Sequence, residues 1–229
     1  MKFGIITFPG SNCDHDLQYL LHDLLHQEIA SLWHKDTDLQ NCDFIFLPGG
    51  FSYGDYLRSG AIAKLSPIMK SVVEFAKKGG YVMGICNGFQ ILCEAGLLEG
   101  ALLHNTNQKF VCKNQYLLPQ TQDTLITKEL AADKPLNIPI AHGEGNFFAD
   151  DDTLKKLNDN DQVLFRYCDA KGKITPDSNP NGSLENIAGI TNKTRNVFGM
   201  MPHPERCSDE NLHNTDGRSL FESILKNFK

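Results

Sequence analysis

Short apolar runs alternate with stretches of helical periodicity through the first hundred residues, and that alternation sets the expected fold. Lys2 to Thr7 reads as a short buried strand, followed by a turn at Pro9 to Asn12. Leu17, Leu20, Leu21, Leu24 and Leu25 then recur at helical spacing. Phe44 to Leu47 is an apolar strand that stops at Pro48-Gly49-Gly50. Ala61 to Lys78 reads as a helix in which Pro67 must occupy the first turn or break the run. Tyr81 to Ile85 is a further buried strand, and Asn87 to Ala95 a helix with Gly96 as its stop. This order predicts an α/β fold with a mostly parallel central sheet flanked by helices, in one domain over 1–229.

The second half is less regular. Strands are expected at Leu136 to Ala141, Gln162 to Tyr167, Ile187 to Thr191 and Val197 to Met201, with a short helix from Asp151 to Leu157. Leu220, Phe221, Ile224, Leu225 and Phe228 form the apolar stripe of a C-terminal helix. Lys171 to Ser183, rich in Gly, Pro, Asp, Asn and Ser, is the expected exposed loop.

Composition narrows the function. With 229 residues, 41% of them hydrophobic, the chain is long enough for one sizeable core. A net charge of −6 with scattered Lys and Arg argues against a nucleic-acid partner. No apolar stretch has the length of a membrane span, and the N-terminus lacks a signal-peptide pattern. Seven cysteines, an odd number without a CxxC pair, fit a reducing cytoplasm better than a secreted disulfide framework. Most should be small buried hydrophobes, so the question is which one reacts.

Gly84-Ile85-Cys86-Asn87-Gly88 follows a predicted strand and opens a predicted helix, the cysteine counterpart of a nucleophile elbow. Small neighbours suit a tight turn where backbones crowd. The helix N-terminus favours a thiolate, and its N–H groups can hold an oxyanion. Against this stands the plainer possibility of a packed strand-end cysteine between turn glycines. A thiol nucleophile needs a base, and the base an orienting group. In Pro202-His203-Pro204-Glu205, Pro204 biases His203 towards an extended conformation, so that His203 and Glu205, two apart, project together. Alone, this segment would be read as a stiff solvated loop; beside the elbow it completes a catalytic set. Gly49-Gly50 lets backbone approach a ligand, and a Gly50-Phe51 amide is a candidate oxyanion donor alongside the amide of Asn87. His142-Gly143-Glu144-Gly145-Asn146 has no matching ligand cluster and no HExxH pattern. It is read as a polar loop near the mouth of the site or a partner surface, and no metal is expected.

The trio of PGG, G-x-C-x-G-x-Q and a late H-P-E resembles the class I, triad-type glutamine amidotransferases, which implies their flavodoxin-like architecture. Five blocks widen the match: Phe8 to Asp14, Pro48 to Arg58, Gly84 to Gln90, Ala141 to Phe147 and Gly199 to Arg206. They are similar to the glutaminase subunits of phosphoribosylformylglycinamidine synthases, and the long Pro48 to Arg58 block is the most specific. The resemblance implies that Cys86 forms a γ-glutamyl thioester, that His203 is base and acid, and that Glu205 orients it. It further implies that Gly50 and Asn87 supply oxyanion amides and that Phe51 and Gln90 line the glutamine pocket. The family's overall reaction converts formylglycinamide ribonucleotide to its amidine with ATP and glutamine in de novo purine synthesis. This chain has no GxxxxGK[ST] loop and no GxGxxG after a strand. ATP and Mg are therefore expected on a synthetase partner, with no cofactor in this chain and a small third subunit bridging the assembly. In one branch of cysteine hydrolases of the same fold superfamily the catalytic His directly follows the Cys, where this chain has Asn87. A γ-glutamyl hydrolase would not need the Pro48 to Arg58 block, and a catalytically dead scaffold would not need an intact Cys86, His203 and Glu205.

Overall fold

Runs such as Phe44–Leu47, apolar at every position, suit strands covered on both faces. The computed structural model, which describes residues 1–228, builds its first sheet from them. In chain order the elements are β1 (Lys2–Thr7), α1 (Asp14–Gln18), β2 (Glu28–Trp33), β3 (Phe44–Leu47), α2 (Pro67–Lys77), β4 (Tyr81–Ile85), α3 (Asn87–Glu94) and β5 (Ala101–Leu103). They continue as β6 (Val111–Pro119), β7 (Leu136–His142), β8 (Asn146–Phe148), α4 (Asp151–Asp159), β9 (Val163–Cys168), β10 (Ile187–Thr191), β11 (Val197–Met200) and α5 (Arg218–Asn227). The chain is α/β, as expected, and groups into two compact units. One is Met1–Leu98 with Asn196–Gly199; the other is Glu99–Arg195 with the residues from Met200 onward. Among the described residues no helix is long and apolar enough to cross a membrane.

In the first unit the strands run in the order β2-β1-β3-β4-β11, and β2, β1, β3 and β4 pair parallel, as the alternation of strands and helices predicts. Register sets Phe3 beside Phe44 and Phe44 beside Tyr81, so their rings form a continuous aromatic row that Phe198 extends from β11. The strand β2 escapes the sequence reading because its Glu28–Trp33 segment alternates exposed and buried positions at the edge of the sheet. The Leu-rich stretch before it is helical, as expected, but only its first turn is α; Tyr19–Leu24 widens into a π-helix. Pro67 resolves as N1 of α2, preceded by extended Ser66, so the proline splits the predicted helix rather than sitting inside it.

The second unit is antiparallel: β10-β9, β9-β6 and β6-β7 pair in that sense, and β5 pairs with β8. Here the expectation of a parallel sheet does not extend. The strand β6 gives little apolar signal because Cys112, Lys113 and Asn114 are exposed. The short helix expected from Asp151 to Leu157 is present, with Asp150 accepting from the Thr153 N–H at 2.7 Å as the cap of α4. The expected exposed loop is only half exposed. Ser178, Asn181 and Ser183 turn inward and are buried, their short polar side chains binding the backbone carbonyls of Tyr167 and Gly145.

One buried side chain holds the join between α2 and β4. Asn196 donates from Nδ2 to the carbonyls of Ala76 at 2.8 Å and Gly80 at 2.7 Å. Asn196→Ala removes the side-chain donor from both; Ala76 keeps the Gly79 N–H at 3.0 Å, so the loss falls on the Gly80 carbonyl. Equilibrium urea unfolding should show a loss of about 1–3 kcal/mol; an unchanged midpoint would mean that other donors reach that carbonyl.

Candidate active site

The strand β4 delivers Cys86 into a conformation that an L-residue rarely adopts, φ 51° and ψ −106°, immediately before α3. Two glycines make the turn possible. A Cβ at Gly88 would lie 1.9 Å from the Leu47 carbonyl oxygen, and one at Gly84 would lie 2.5 Å from the Gly88 backbone. The α3 helix therefore sits directly against β3 and β4, and only glycine allows that approach. Cys86 is 5% exposed, and the N-terminal turn of α3 begins at the next residue.

The Pro48–Arg58 block packs on the same elbow. Gly50 takes φ 138°, and a Cβ there would meet the backbone of Ser11 and Asn12 at 2.8 Å. Ser11 and Gly50 form a bridge, Cys13 N–H donates to the Gly49 carbonyl, and Phe51 N–H donates to the Gly10 carbonyl at 2.9 Å. The Phe51 N–H is thus engaged within the chain, so the N–H of Gly50 itself is the candidate oxyanion donor of this turn. The Pro9 to Asn12 turn buttresses the glycine turn. Phe51 itself is 46% exposed.

Asn87, 1% exposed, has a side chain as well as a backbone to offer. Its Oδ1 accepts from Ser52 N–H at 3.1 Å, and its Nδ2 donates to Gln90 Oε1 at 2.9 Å and to Asp55 Oδ1 at 3.2 Å. The expected pocket residue Gln90 is buried and tied to Asn87. Ser52, whose hydroxyl is buried with no partner among the described residues, and Asp55 were not singled out by sequence reasoning. The signal available was a polar cluster directly after a double glycine.

In the second unit, His203 is extended at φ −105° and ψ 84°, as Pro204 requires. Glu205 is not extended; it lies in a short 3-10 turn, Pro204–Arg206. The turn still brings the pair together, with His203 Nδ1 and Glu205 Oε1 2.6 Å apart, both residues buried. With the carboxylate accepting at Nδ1, Nε2 is the nitrogen left to exchange a proton. His203 N–H donates to the Pro139 carbonyl at 2.8 Å, which anchors the segment to β7.

The His142 segment departs from its reading as a polar loop. His142 is the last residue of β7 and is buried, on the inward-facing register of Ile138 and Ile140. Its ring lies against Gly145, where a Cβ would approach to 2.4 Å, and Asn181 Nδ2 stands 3.5 Å from its Nε2. Its Nδ1 is buried without a hydrogen-bond partner among the described residues. Burial chiefly, and the charge of His203 next, push its pKa from 6.5 down to about 4, so it is neutral near pH 7.

The candidate residues thus divide between the units: Gly50, Phe51, Cys86, Asn87 and Gln90 belong to the first, His203 and Glu205 to the second. The comparisons with known proteins cover both. A family model described as the CobB/CobQ-like glutamine amidotransferase domain matches residues 1–226. The phosphoribosylformylglycinamidine synthase subunit PurQ of Koribacter versatilis is 55% identical over 225 residues, covering 98% of this chain and 97% of that protein. The subunit of the same name from Synechocystis sp. is 55% identical over 222 residues, covering 97% and 99%. A chain in the structure of PurLQS from Thermotoga maritima superposes with a TM-score of 0.87 at 41% identity, covering 100% of this chain and 99% of that one.

Two outcomes follow from the packing. Gly88→Ala places a methyl on the Leu47 carbonyl, so α3 must shift; a fall in melting temperature together with slower Cys86 alkylation is expected, and an unchanged variant would refute the close approach. His142 binds a proton less readily folded than unfolded, so stability should fall as pH drops from about 6.5 to about 4, by about 3 kcal/mol in full. Unfolding free energies across that window should show this slope in wild type and lose it in His142→Asn; equal slopes would refute it.

Proposed function

Because this chain belongs to the CobB/CobQ-like glutamine amidotransferase family, we propose that it is the glutaminase subunit of a phosphoribosylformylglycinamidine synthase. It hydrolyses glutamine and passes ammonia to a synthetase subunit, which uses ATP to convert formylglycinamide ribonucleotide to its amidine in purine biosynthesis. Relatives of that name at 52–55% identity along almost the whole chain support this reading. The observation that carries the chemistry is the left-handed Cys86 at the start of α3.

In the proposed mechanism the Cys86 thiolate attacks the carboxamide carbon of glutamine. The C=O π pair moves to oxygen, and that oxyanion is held by the amides of Gly50 and Asn87. His203 gives a proton to the departing nitrogen, which leaves as ammonia as the C–N bond breaks and a γ-glutamyl thioester remains. His203 then takes a proton from water as it attacks the thioester, and the C–S bond breaks to release glutamate and restore Cys86. Glu205 fixes the imidazole tautomer and supports the charge it gains; the short buried contact between them favours this role. Phe51 and Gln90 are the proposed walls of the glutamine pocket.

The two units are proposed to work as one amidotransferase domain, supported by a single family model running through both. ATP and Mg are assigned to the synthetase partner. A small third subunit is the proposed bridge, supported by the likeness to a chain of a structure titled PurLQS. The cytoplasm is the proposed location, on the strength of the unpatterned cysteines. Glutamate release should rise when the synthetase and its substrates are added and should fall at least about 10³-fold in Cys86→Ala. Persistent turnover in that variant would remove Cys86 as nucleophile, and a silent wild type with its full partner set would remove the glutaminase reading.

A further inference from the structure

The backbone N–H of Asn87 has a proposed role, whereas its buried side chain has none, and that side chain makes three hydrogen bonds beside the elbow. Both hydrogens of its Nδ2 are engaged, one by Gln90 Oε1 at 2.9 Å and one by Asp55 Oδ1 at 3.2 Å. Its Oδ1 takes the N–H of Ser52 at 3.1 Å. One carboxamide therefore ties the end of the glycine turn, through Ser52 and Asp55, to the first turn of α3. These are the two backbone segments from which Gly50 and Asn87 would present amides to one oxyanion.

The loop it ties is not self-supporting. Tyr53 at φ 55°, Gly54 at 70°, Asp55 at 55° and Leu57 at 71° all lie in the left-handed region, three of them without glycine's freedom. Such a run persists only where contacts impose it. Tyr56 and Leu57 do little of this, being 73% and 93% exposed, while Arg58 ties the outer end of the loop to the last residue of α3, Glu94, at 2.5 Å. The inner anchors are Tyr53, whose hydroxyl meets His34 Nδ1 at 2.7 Å and Ser66 Oγ at 2.9 Å, and Asp55 on Asn87. Of the two, only Asp55 reaches the elbow.

We propose that Asp55 is a positioning residue for the oxyanion side of the reaction, acting through the Asn87 side chain to hold the Gly50 turn and the start of α3 in register. The proposal rests on the reading of Cys86 as nucleophile and of Gly50 and Asn87 as oxyanion donors. In this role Asp55 acts through Asn87 and takes no part in the proton transfers. An ionised carboxylate is a stronger acceptor for Nδ2 than a neutral group, so the tie is firm although Asp55 is only half-buried.

The distinguishing consequence is that Asp55 should matter to acyl transfer and not to the thiol. Alkylation of Cys86 by iodoacetamide is a displacement at saturated carbon with no oxyanion on the sulfur's target, so it reports the thiolate and its access alone. In the complex with the synthetase, Asp55→Ala should lower kcat for glutamine hydrolysis about 10- to 100-fold, less than outright loss of an oxyanion donor. KM for glutamine and the Cys86 alkylation rate, read by mass spectrometry, should stay within about twofold. Asp55→Asn keeps an oxygen at the same place for Nδ2 and should recover most of kcat. Asn87→Ala keeps its backbone amide and removes the tie from the other end; adding Asp55→Ala to it should cost little more, because the two act as one unit.

Turnover by Asp55→Ala at the wild-type rate would overturn the proposal. So would a parallel fall in kcat and alkylation that Asp55→Asn does not rescue, which is the mark of a merely structural loop. If Asp55→Ala does not fold, the Asn rescue and the alkylation rate of Asn87→Ala decide, and slowed alkylation in the latter counts against it. A wild type that releases no glutamate with its full partner set overturns the functional reading and this proposal with it; an active wild type with an indifferent Asp55 overturns this proposal alone.

Discussion

A methyl group at residue 88 would overlap the carbonyl oxygen of Leu47, and the first unit is arranged around the absence of that methyl. Because Gly88 has no side chain, α3 can lie directly on the end of β3. Because Gly84 has none, the chain can leave β4 beneath the same helix. Between them Cys86 is driven to positive φ, a conformation of high local energy that the surrounding packing imposes. The result is a thiol at the head of a helix whose first residue, Asn87, holds the neighbouring loop by its side chain. Close backbone packing, conformational strain and placement of the candidate nucleophile are thus one structural fact.

The second unit meets a different constraint, the burial of charge and proton-binding groups. His203 and Glu205 are both withdrawn from water, and the 2.6 Å contact between Nδ1 and Oε1 offsets part of that cost by pairing one polar atom of each. His142, on the neighbouring strand, is also buried, and it meets that environment by staying neutral. Asn105, Asn181 and Ser183 bind the backbone around Gly143, Gly145 and His142, so a segment of polar sequence becomes interior structure. A neutral histidine near the imidazole–carboxylate pair adds no competing positive charge when His203, as proposed, becomes protonated.

Much of this was legible in the chain. The apolar runs of β1, β3 and β4 announce themselves because strands covered on both faces need no polar positions. The elbow was legible because its glycines are a steric necessity, and the proline after His203 dictates that residue's backbone whatever surrounds it. Edge and antiparallel strands such as β2 and β6 were not, since half of each faces water and their patterns merge with loops.

By itself, then, the sequence determined the features that arise within a few residues of one another: which runs form strands, where glycine and proline constrain the backbone, and which short motifs match a known family. Only the tertiary structure decided the rest. The Gly50-Phe51 amide is turned onto the Gly10 carbonyl, Asn87 binds Asp55 thirty-two residues away, and His142 lies in the interior rather than in a loop. Such outcomes depend on which donor finds which acceptor across sequence-distant segments. That competition is settled by packing geometry and desolvation, which no local pattern of residues encodes.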